Sequence, residues 1–92
     1  MEFNFKGQTA IVVGGTRGIG RAVSSALLKA GAKVLATYQK NKEEAQKFET
    51  SNSIHLDRLF IYKFDVTHYD QVEAFYKKVE NEHGTPQIVV VS

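Results

Sequence analysis

Four glycines, Gly14, Gly15, Gly18 and Gly20, lie within seven positions between an apolar run and a helical pattern. A glycine inside a regular strand or helix costs roughly 0.5–1 kcal/mol relative to alanine, so this cluster indicates a backbone that turns tightly or meets a ligand closely. The unpaired N–H groups that open a helix attract a phosphate when no side chain blocks them. We expect Gly14 to permit the turn, Gly18 to let the backbone approach a pyrophosphate, and Gly20 to let the helix lie close to the strand. Gly15 is interpreted as a flexible filler.

The elements that would position this turn alternate along the chain. Apolar and β-branched runs predict strands at 8–13, 32–37, 59–64 and 87–92, and apolar residues at helical spacing predict helices between them. Strands joined by helical crossovers pair in parallel. The pattern β-α-β-α-β-α-β therefore predicts an α/β fold, a Rossmann-type doubly wound parallel sheet, with these as the first four strands of a longer fold.

Capping signals place the second and third helices. Asn41 with Glu44, and Thr67 with Asp70, have the spacing of a capping box, in which a side chain at the helix start accepts from a backbone N–H group. The second helix is expected to end before the polar stretch 49–57, a predicted loop. The third helix carries an apolar stripe expected to face the core, formed by Val72, Phe75, Tyr76 and Val79.

The composition excludes several classes of protein. A net charge of +2, with Lys and Arg spread along the chain, argues against a nucleic-acid or anionic-membrane partner. There is no cysteine, which excludes disulfides, zinc–thiolate sites and thiol nucleophiles. No apolar run approaches the roughly 20 residues of a membrane span, and the start of the chain is unlike a secretory signal. We expect a cytoplasmic protein without a metal, since His55, His68 and His83 are far apart in sequence.

The glycine spacing differs from the common dinucleotide fingerprint GxGxxG. The stretch VGGTRGIGR resembles the TGxxxGIG motif of the short-chain dehydrogenase/reductase family, with Val13 in the place of the usual threonine. FDVTHYDQV resembles the family's D-V-T/S-D stretch after the third strand. HGTPQIVVVS resembles the family segment ending in N-N-A-G, with Val91 and Ser92 in the places of the two asparagines. The valine in place of threonine removes a hydroxyl that would tether the glycine loop. The loss of the two asparagines removes polar side chains of the fourth strand that would brace the same loop.

The resemblance implies a set of cofactor contacts. In the family, the acid after the third strand contacts the adenine edge and the next residue lines the adenine pocket. Together with the glycine motif, the implied contacts are Gly14, Thr16, Arg17, Gly18, Ile19, Gly20, Asp65 and Val66. The family's catalytic serine and Tyr-x-x-x-Lys pair follow the fourth strand and are not among these residues. Tyr38 and Lys42 have that spacing but lie on the wrong element. We assign no catalytic or metal-binding residue and expect residues 1–92 alone to be inactive.

The end of the second strand indicates which dinucleotide is preferred. NAD-specific sites place an acid about 20 residues beyond the glycines, where it binds the ribose hydroxyls. Counting from Gly18 reaches Tyr38, and the next acid along the chain is Glu43. Arg17, and as a second candidate Lys40, can instead face a 2′-phosphate. The sequence therefore favours NADP(H) over NAD(H).

The resemblance also implies a function for the complete domain. Turns of the GGTRGIG kind without an acid after the second strand are most similar to those of 3-oxoacyl-(acyl-carrier-protein) reductases and related ketoreductases. Residues 1–92 are then the cofactor-binding half of an NADPH-dependent oxidoreductase that reduces a carbonyl substrate, usually as a homotetramer. The apolar stretch Ile88–Val91 would leave an open sheet edge, so we expect the domain to be truncated after the fourth strand. The alternative is a stand-alone, non-catalytic nucleotide-binding or assembly module.

Overall fold

The computed structural model describes residues 4–65 and 67–91, at Tyr69 the backbone alone. The described residues form one parallel sheet of four strands in the order β3-β2-β1-β4, which confirms the predicted fold class. Three α-helices connect the strands. In chain order the elements are β1 Thr9–Val13, α1 Gly18–Lys29, β2 Lys33–Tyr38, α2 Lys42–Ser51, β3 Leu59–Lys63, α3 Tyr69–His83 and β4 Ile88–Val91.

Helices cover both faces of the sheet. α1 and α2 pack on one face, where Leu28 and Phe48 are fully buried. α3 packs on the other face, where Val79 meets Ile11 and Leu35. The face changes because the chain crosses from β1 to β3 in one direction and then returns past β1 to β4, and right-handed crossovers in opposite directions place their helices on opposite faces. The reversal beside β1 is a topological switch point, where α/β proteins bind ligands at the carboxyl ends of the strands.

The end of α1 is fixed by a glycine and an arginine. Gly31 follows the helix with a φ of +99°, the left-handed conformation that glycine adopts without steric cost. The guanidinium of Arg58 donates to the carbonyl oxygens of Leu28 and Ala32 at 2.8 and 2.9 Å. A cation at this end also opposes the partial negative charge of the helix terminus. The C-terminal end of α1 is thus anchored, which fixes the direction in which its N-terminus points.

α2 begins where the sequence predicts and ends later. The side chain of Asn41 accepts from the backbone N–H of Glu44 at 3.0 Å, as the capping signal indicates. The helix continues to Ser51 and is followed by a 3₁₀ turn at Ser53–His55, so the prediction of a loop over 49–57 is wrong. The side chain of Asn52 donates to the carbonyl oxygen of Phe48 at 2.9 Å. Polar side chains therefore extend the helix by bonding its last carbonyl groups.

α3 differs from its prediction at its start and on one face. His68, not Thr67, precedes the helix, and no side chain caps it among the described residues. Thr67 instead donates its hydroxyl to Oδ1 of Asp65 at 2.6 Å, which removes it from the capping position. Val72 and Tyr76 are 37% and 43% exposed, so only the Phe75–Val79 half of the predicted stripe faces the sheet.

Aromatic contacts hold α3 against β3. The rings of Phe75 and Phe64 stack with their centroids 4.5 Å apart. Near the end of the helix, the ring of His83 lies 4.6 Å from that of Phe60. Nε2 of His83 is 3.0 Å from the hydroxyl of Tyr62. The His83 side chain is only 7% exposed, so this docking contact buries a titratable group.

This burial makes the stability of the fold depend on pH. Burial is the main cause that lowers the pKa of His83 below its ordinary 6.5, and Lys33 adds to it while Glu82 opposes it. At pH values between the ordinary pKa and the lower folded-state pKa, the unfolded chain binds more protons than the folded chain. The free energy of unfolding therefore falls as the pH falls through this range. We expect His83→Gln to flatten this dependence in urea denaturation series between about pH 7.5 and pH 5. Parallel pH profiles for the variant and the wild type would contradict the assignment.

Candidate cofactor-binding site

The glycine turn joins the carboxyl end of β1 to α1. Gly14 has a φ of +75°, in the left-handed region that a side chain would strain. Its N–H donates to Oγ1 of Thr37 at 3.2 Å. The N–H of Gly15 donates to the carbonyl oxygen of Thr37 at 3.1 Å. The turn is therefore held from β2, by a residue that is 1% exposed at the end of that strand.

Two glycines of the cluster, Gly20 in α1 and Gly15 in the turn, are required by close packing. A methyl group on Gly20 would overlap the carbonyl oxygen of Gly14, so only glycine allows α1 to lie this close to the turn. A methyl group on Gly15 would lie 2.7 Å from Oγ of Ser24 and 2.8 Å from the carbonyl oxygen of Val12. The interpretation of Gly15 as a flexible filler is wrong, because at this position the backbone is wedged between β1 and α1.

The first turn of α1 is open to an anion. Arg17 precedes it in an extended conformation, and within the described part of the chain no side chain caps it and its first turn contains no acid. Gly18 has a φ of +61°, and apart from Gly18 itself, its chain neighbours and the backbone of α1, no described atom lies within 4 Å of the position of an added Cβ. Ile19 follows with 79% exposure. Unpaired N–H groups, the positive end of the helix dipole and an unobstructed approach are the features that fit a pyrophosphate.

A cavity of about 380 Å³ lies between the glycine turn and the end of β2. None of its lining residues is acidic, and two of them are cations, Arg17 and Lys40. Among the described residues, neither cation pairs with a carboxylate. The cavity thus combines positive charge with polar groups from the turn and from β2, and its lining is formed by Gly14, Thr16, Arg17, Tyr38, Gln39, Lys40 and Asn41.

Asp65 lies beside a second cavity, of about 300 Å³, which Gln39 and Lys40 also line. Its Oδ1 accepts from Nε2 of Gln39 at 3.0 Å and from the backbone N–H of Thr67 at 2.9 Å. Hydrogen bonds from the Thr67 hydroxyl first, and then from the Thr67 backbone, hold the pKa of the Asp65 carboxyl below its ordinary value. Asp65 is therefore an anion with one oxygen occupied by protein donors, and its Oδ2 is 3.5 Å from Nε2 of His68. Val66, the other predicted adenine contact, lies outside the described residues.

The sequence-based set of site residues omits Thr37 and Gln39. Thr37 holds the glycine turn, and Gln39 links the end of β2 to Asp65 across the strand ends. The sequence contains one signal for Thr37, which is a hydroxyl residue at the end of an otherwise apolar strand. No sequence signal identifies the partner of Gln39, because that contact joins residues 26 positions apart.

Outside this site, the described surface offers a groove at the other end of the sheet but no metal cluster. A larger groove of about 1050 Å³ lies beside the C-terminal half of α1, next to Phe5, Leu27 and Arg58. It is at the amino ends of the strands, opposite to the end where α/β sheets bind ligands. Across residues 4–65 and 67–91, no three His, Asp or Glu side chains are grouped as a metal site requires. No helix in the described part of the chain has the length and apolar character needed to cross a membrane.

Comparison with known proteins gives matches along most of the chain. The sequence profile of the family described as short chain dehydrogenase matches residues 8–92. An acetoacetyl-CoA reductase from Paracoccus denitrificans is 40% identical over 83 residues, which are 90% of this chain and 32% of that protein. An L-rhamnose 1-dehydrogenase (NADP(+)) from Thermoplasma acidophilum is 34% identical over 90 residues, 95% of this chain and 34% of that protein. This chain therefore spans about a third of the length of these relatives.

A shorter relative matches over most of its own length. The short-chain dehydrogenase/reductase homolog YusS from Bacillus subtilis is 35% identical over 89 residues, which are 95% of this chain and 80% of that protein. The profile, these relatives, the parallel sheet and the glycine turn at its switch point agree with one another. The chain belongs to the short-chain dehydrogenase/reductase family of oxidoreductases.

Proposed function

We propose that this chain binds NADP(H) through the glycine turn and the end of β2, in preference to NAD(H). The observation that carries the proposal is the cavity that Arg17 and Lys40 line without any acidic residue. A carboxylate there would accept bonds from the ribose hydroxyls of NAD and repel a 2′-phosphate. Two cations and no acid favour the phosphate instead.

In this proposal, different residues bind different parts of the cofactor. The N–H groups at the start of α1, with Gly18 and Ile19, receive the pyrophosphate. Arg17 and Lys40 hold the 2′-phosphate, and Asp65 offers Oδ2 to the adenine edge. Val66 is the proposed lining of the adenine pocket. When bound, NADPH supplies a hydride to a carbonyl carbon.

For the protein as a whole, we propose reduction of a carbonyl on a ketoacyl-type substrate. The name of the acetoacetyl-CoA reductase that matches this chain supports that substrate class. The serine and the Tyr-x-x-x-Lys pair that the family uses to polarise and protonate the carbonyl are not among residues 1–92. We therefore propose these residues as the N-terminal, cofactor-binding part of one domain, in a cytoplasmic homotetramer when complete.

The second candidate function is a nucleotide-binding module without catalysis. The match to 80% of the YusS homolog favours it, since that relative is much shorter than the reductases. Such a module would retain the glycine turn and its cavity and lack hydride transfer. The two functions differ in turnover, and both require cofactor binding.

Calorimetric titration of the purified protein with NADPH and with NADH tests the proposal. A phosphate bonded to a cation is worth about 1.5–3 kcal/mol, so we expect NADPH to bind roughly 10- to 150-fold more tightly. Equal affinities would contradict the preference for NADP(H), and an absence of binding would contradict both candidate functions. Adding acetoacetyl-CoA to the NADPH complex of residues 1–92 should give no oxidation, because the proton donor is missing. Oxidation by residues 1–92 would show that they contain a catalytic group that we have not assigned.

A further inference from the structure

We infer that Thr37 positions the glycine turn, and that its hydroxyl raises the affinity of this turn for the pyrophosphate that NADP(H) and NAD(H) share. This inference rests on the proposed function, because it concerns how the same turn is held for its ligand. It begins from the two bonds that Thr37 accepts, from the N–H of Gly14 to its hydroxyl and from the N–H of Gly15 to its carbonyl oxygen.

On the other side of β1, the described residues of β4 carry no polar side chain that could share this task. Val13 and Val91 are register partners on β1 and β4, so both residues beside the base of the turn are apolar. No described side chain of β4 bonds to the turn. β2 is therefore the strand that anchors it, through one side chain and one carbonyl group of the same residue.

Burial makes the hydroxyl bond effective. Thr37 is 1% exposed, so water does not compete for its hydroxyl, and the Gly14 N–H loses its protein partner if that hydroxyl is removed. The turn has little room to find another partner, because Gly15 is wedged against Val12 and Ser24. Packing brings the turn close to β2, and the hydroxyl of Thr37 then holds the turn in position.

Thr37 also connects the turn to the ribose side of the site. It directly precedes Tyr38, Gln39 and Lys40, which line the same cavity as Gly14 and Arg17. One residue therefore ties the pyrophosphate-binding turn to the segment that faces the 2′-phosphate.

Amide hydrogen exchange measured by NMR tests the bond directly. In the wild type, the Gly14 amide should exchange slowly, and in Thr37→Val it should exchange at least several-fold faster. The Gly15 amide is the internal reference, because its acceptor is a backbone carbonyl that the substitution leaves in place. Thr37→Ser keeps the hydroxyl and should keep the protection of Gly14. A rapidly exchanging Gly14 amide in the wild type overturns the inference whether or not any variant folds.

Cofactor titration tests the consequence. Thr37→Val should weaken NADPH and NADH alike, by roughly 2- to 10-fold, since the turn serves the pyrophosphate that both share. Ser24→Ala is the matched control: it also removes a buried hydroxyl beside the turn, one with no hydrogen-bond partner among the described residues. It should change neither the affinities nor the exchange of Gly14.

The possible results separate this inference from the proposed function. Wild-type affinity in Thr37→Val, a selective loss of NADPH, or an equal loss in Ser24→Ala would each overturn the role of Thr37. A wild type that binds neither cofactor would refute the proposed function, and the exchange of Gly14 would still decide whether Thr37 holds the turn.

Discussion

Replacing Gly20 with alanine is expected to abolish cofactor binding and to destabilise the fold. The added methyl group would overlap the carbonyl oxygen of Gly14, and a backbone atom cannot rotate away as a side chain does. α1 must then move away from the turn. Overpacking of this kind costs about 1–3 kcal/mol of stability. The displaced turn no longer presents its N–H groups to the pyrophosphate, so we expect a loss of NADPH affinity of roughly 100-fold or more, the size of the effect that a displacement of about 1 Å has on the rate at a preorganised active site.

Urea denaturation and calorimetric titration of Gly20→Ala measure the two effects separately. Ala22→Ser is the matched control, because it adds one atom at an exposed position of the same helix. It should retain wild-type stability and affinity. If Gly20→Ala binds NADPH as the wild type does, α1 is not held against the turn as closely as the structure describes.

Replacing Arg17 with alanine is expected to weaken NADPH binding roughly 10- to 150-fold while barely changing NADH. The cavity that Arg17 lines contains no acid to compete for it. A charge-assisted hydrogen bond contributes about 1.5–3 kcal/mol, which corresponds to that range. Tyr38→Asp should reverse the preference, since a carboxylate at the end of β2 repels the 2′-phosphate and accepts bonds from the ribose hydroxyls.

Titrations of both cofactors against each variant decide this prediction. Arg21→Ala removes the same charge four residues further along, where Arg21 contacts Ser51 and Glu44 outside the cavity. It should leave both affinities unchanged. Equal losses of NADPH and NADH in Arg17→Ala would mean that Arg17 shapes the turn without selecting the cofactor.

The sequence was sufficient for the features that depend on local chemistry. The alternation of apolar runs with helical spacing predicts the parallel fold, because each element must bury one face against its neighbour. The positive φ angle at Gly14 occurs where the glycine cluster indicates a turn. The cap at Asn41 follows from a spacing of three residues, within reach of one side chain.

Where two local signals compete, the sequence misleads. Thr67 has the spacing of a capping residue, and Asp65 two positions earlier draws its hydroxyl away. The polar residues after Phe48 resemble a loop, and several of them extend α2 by bonding its carbonyl groups. Such side chains bond equally well to a helix end or to a turn, so composition alone does not choose between them.

The site itself required contacts between residues far apart in the chain. Thr37 holds Gly14 from 23 positions away, Gln39 reaches Asp65, and Val13 meets Val91 through the register of β1 and β4. The glycine pattern alone predicts where a dinucleotide would bind. Only the tertiary structure shows that β2 anchors the turn, because strand order and register determine which distant side chains meet.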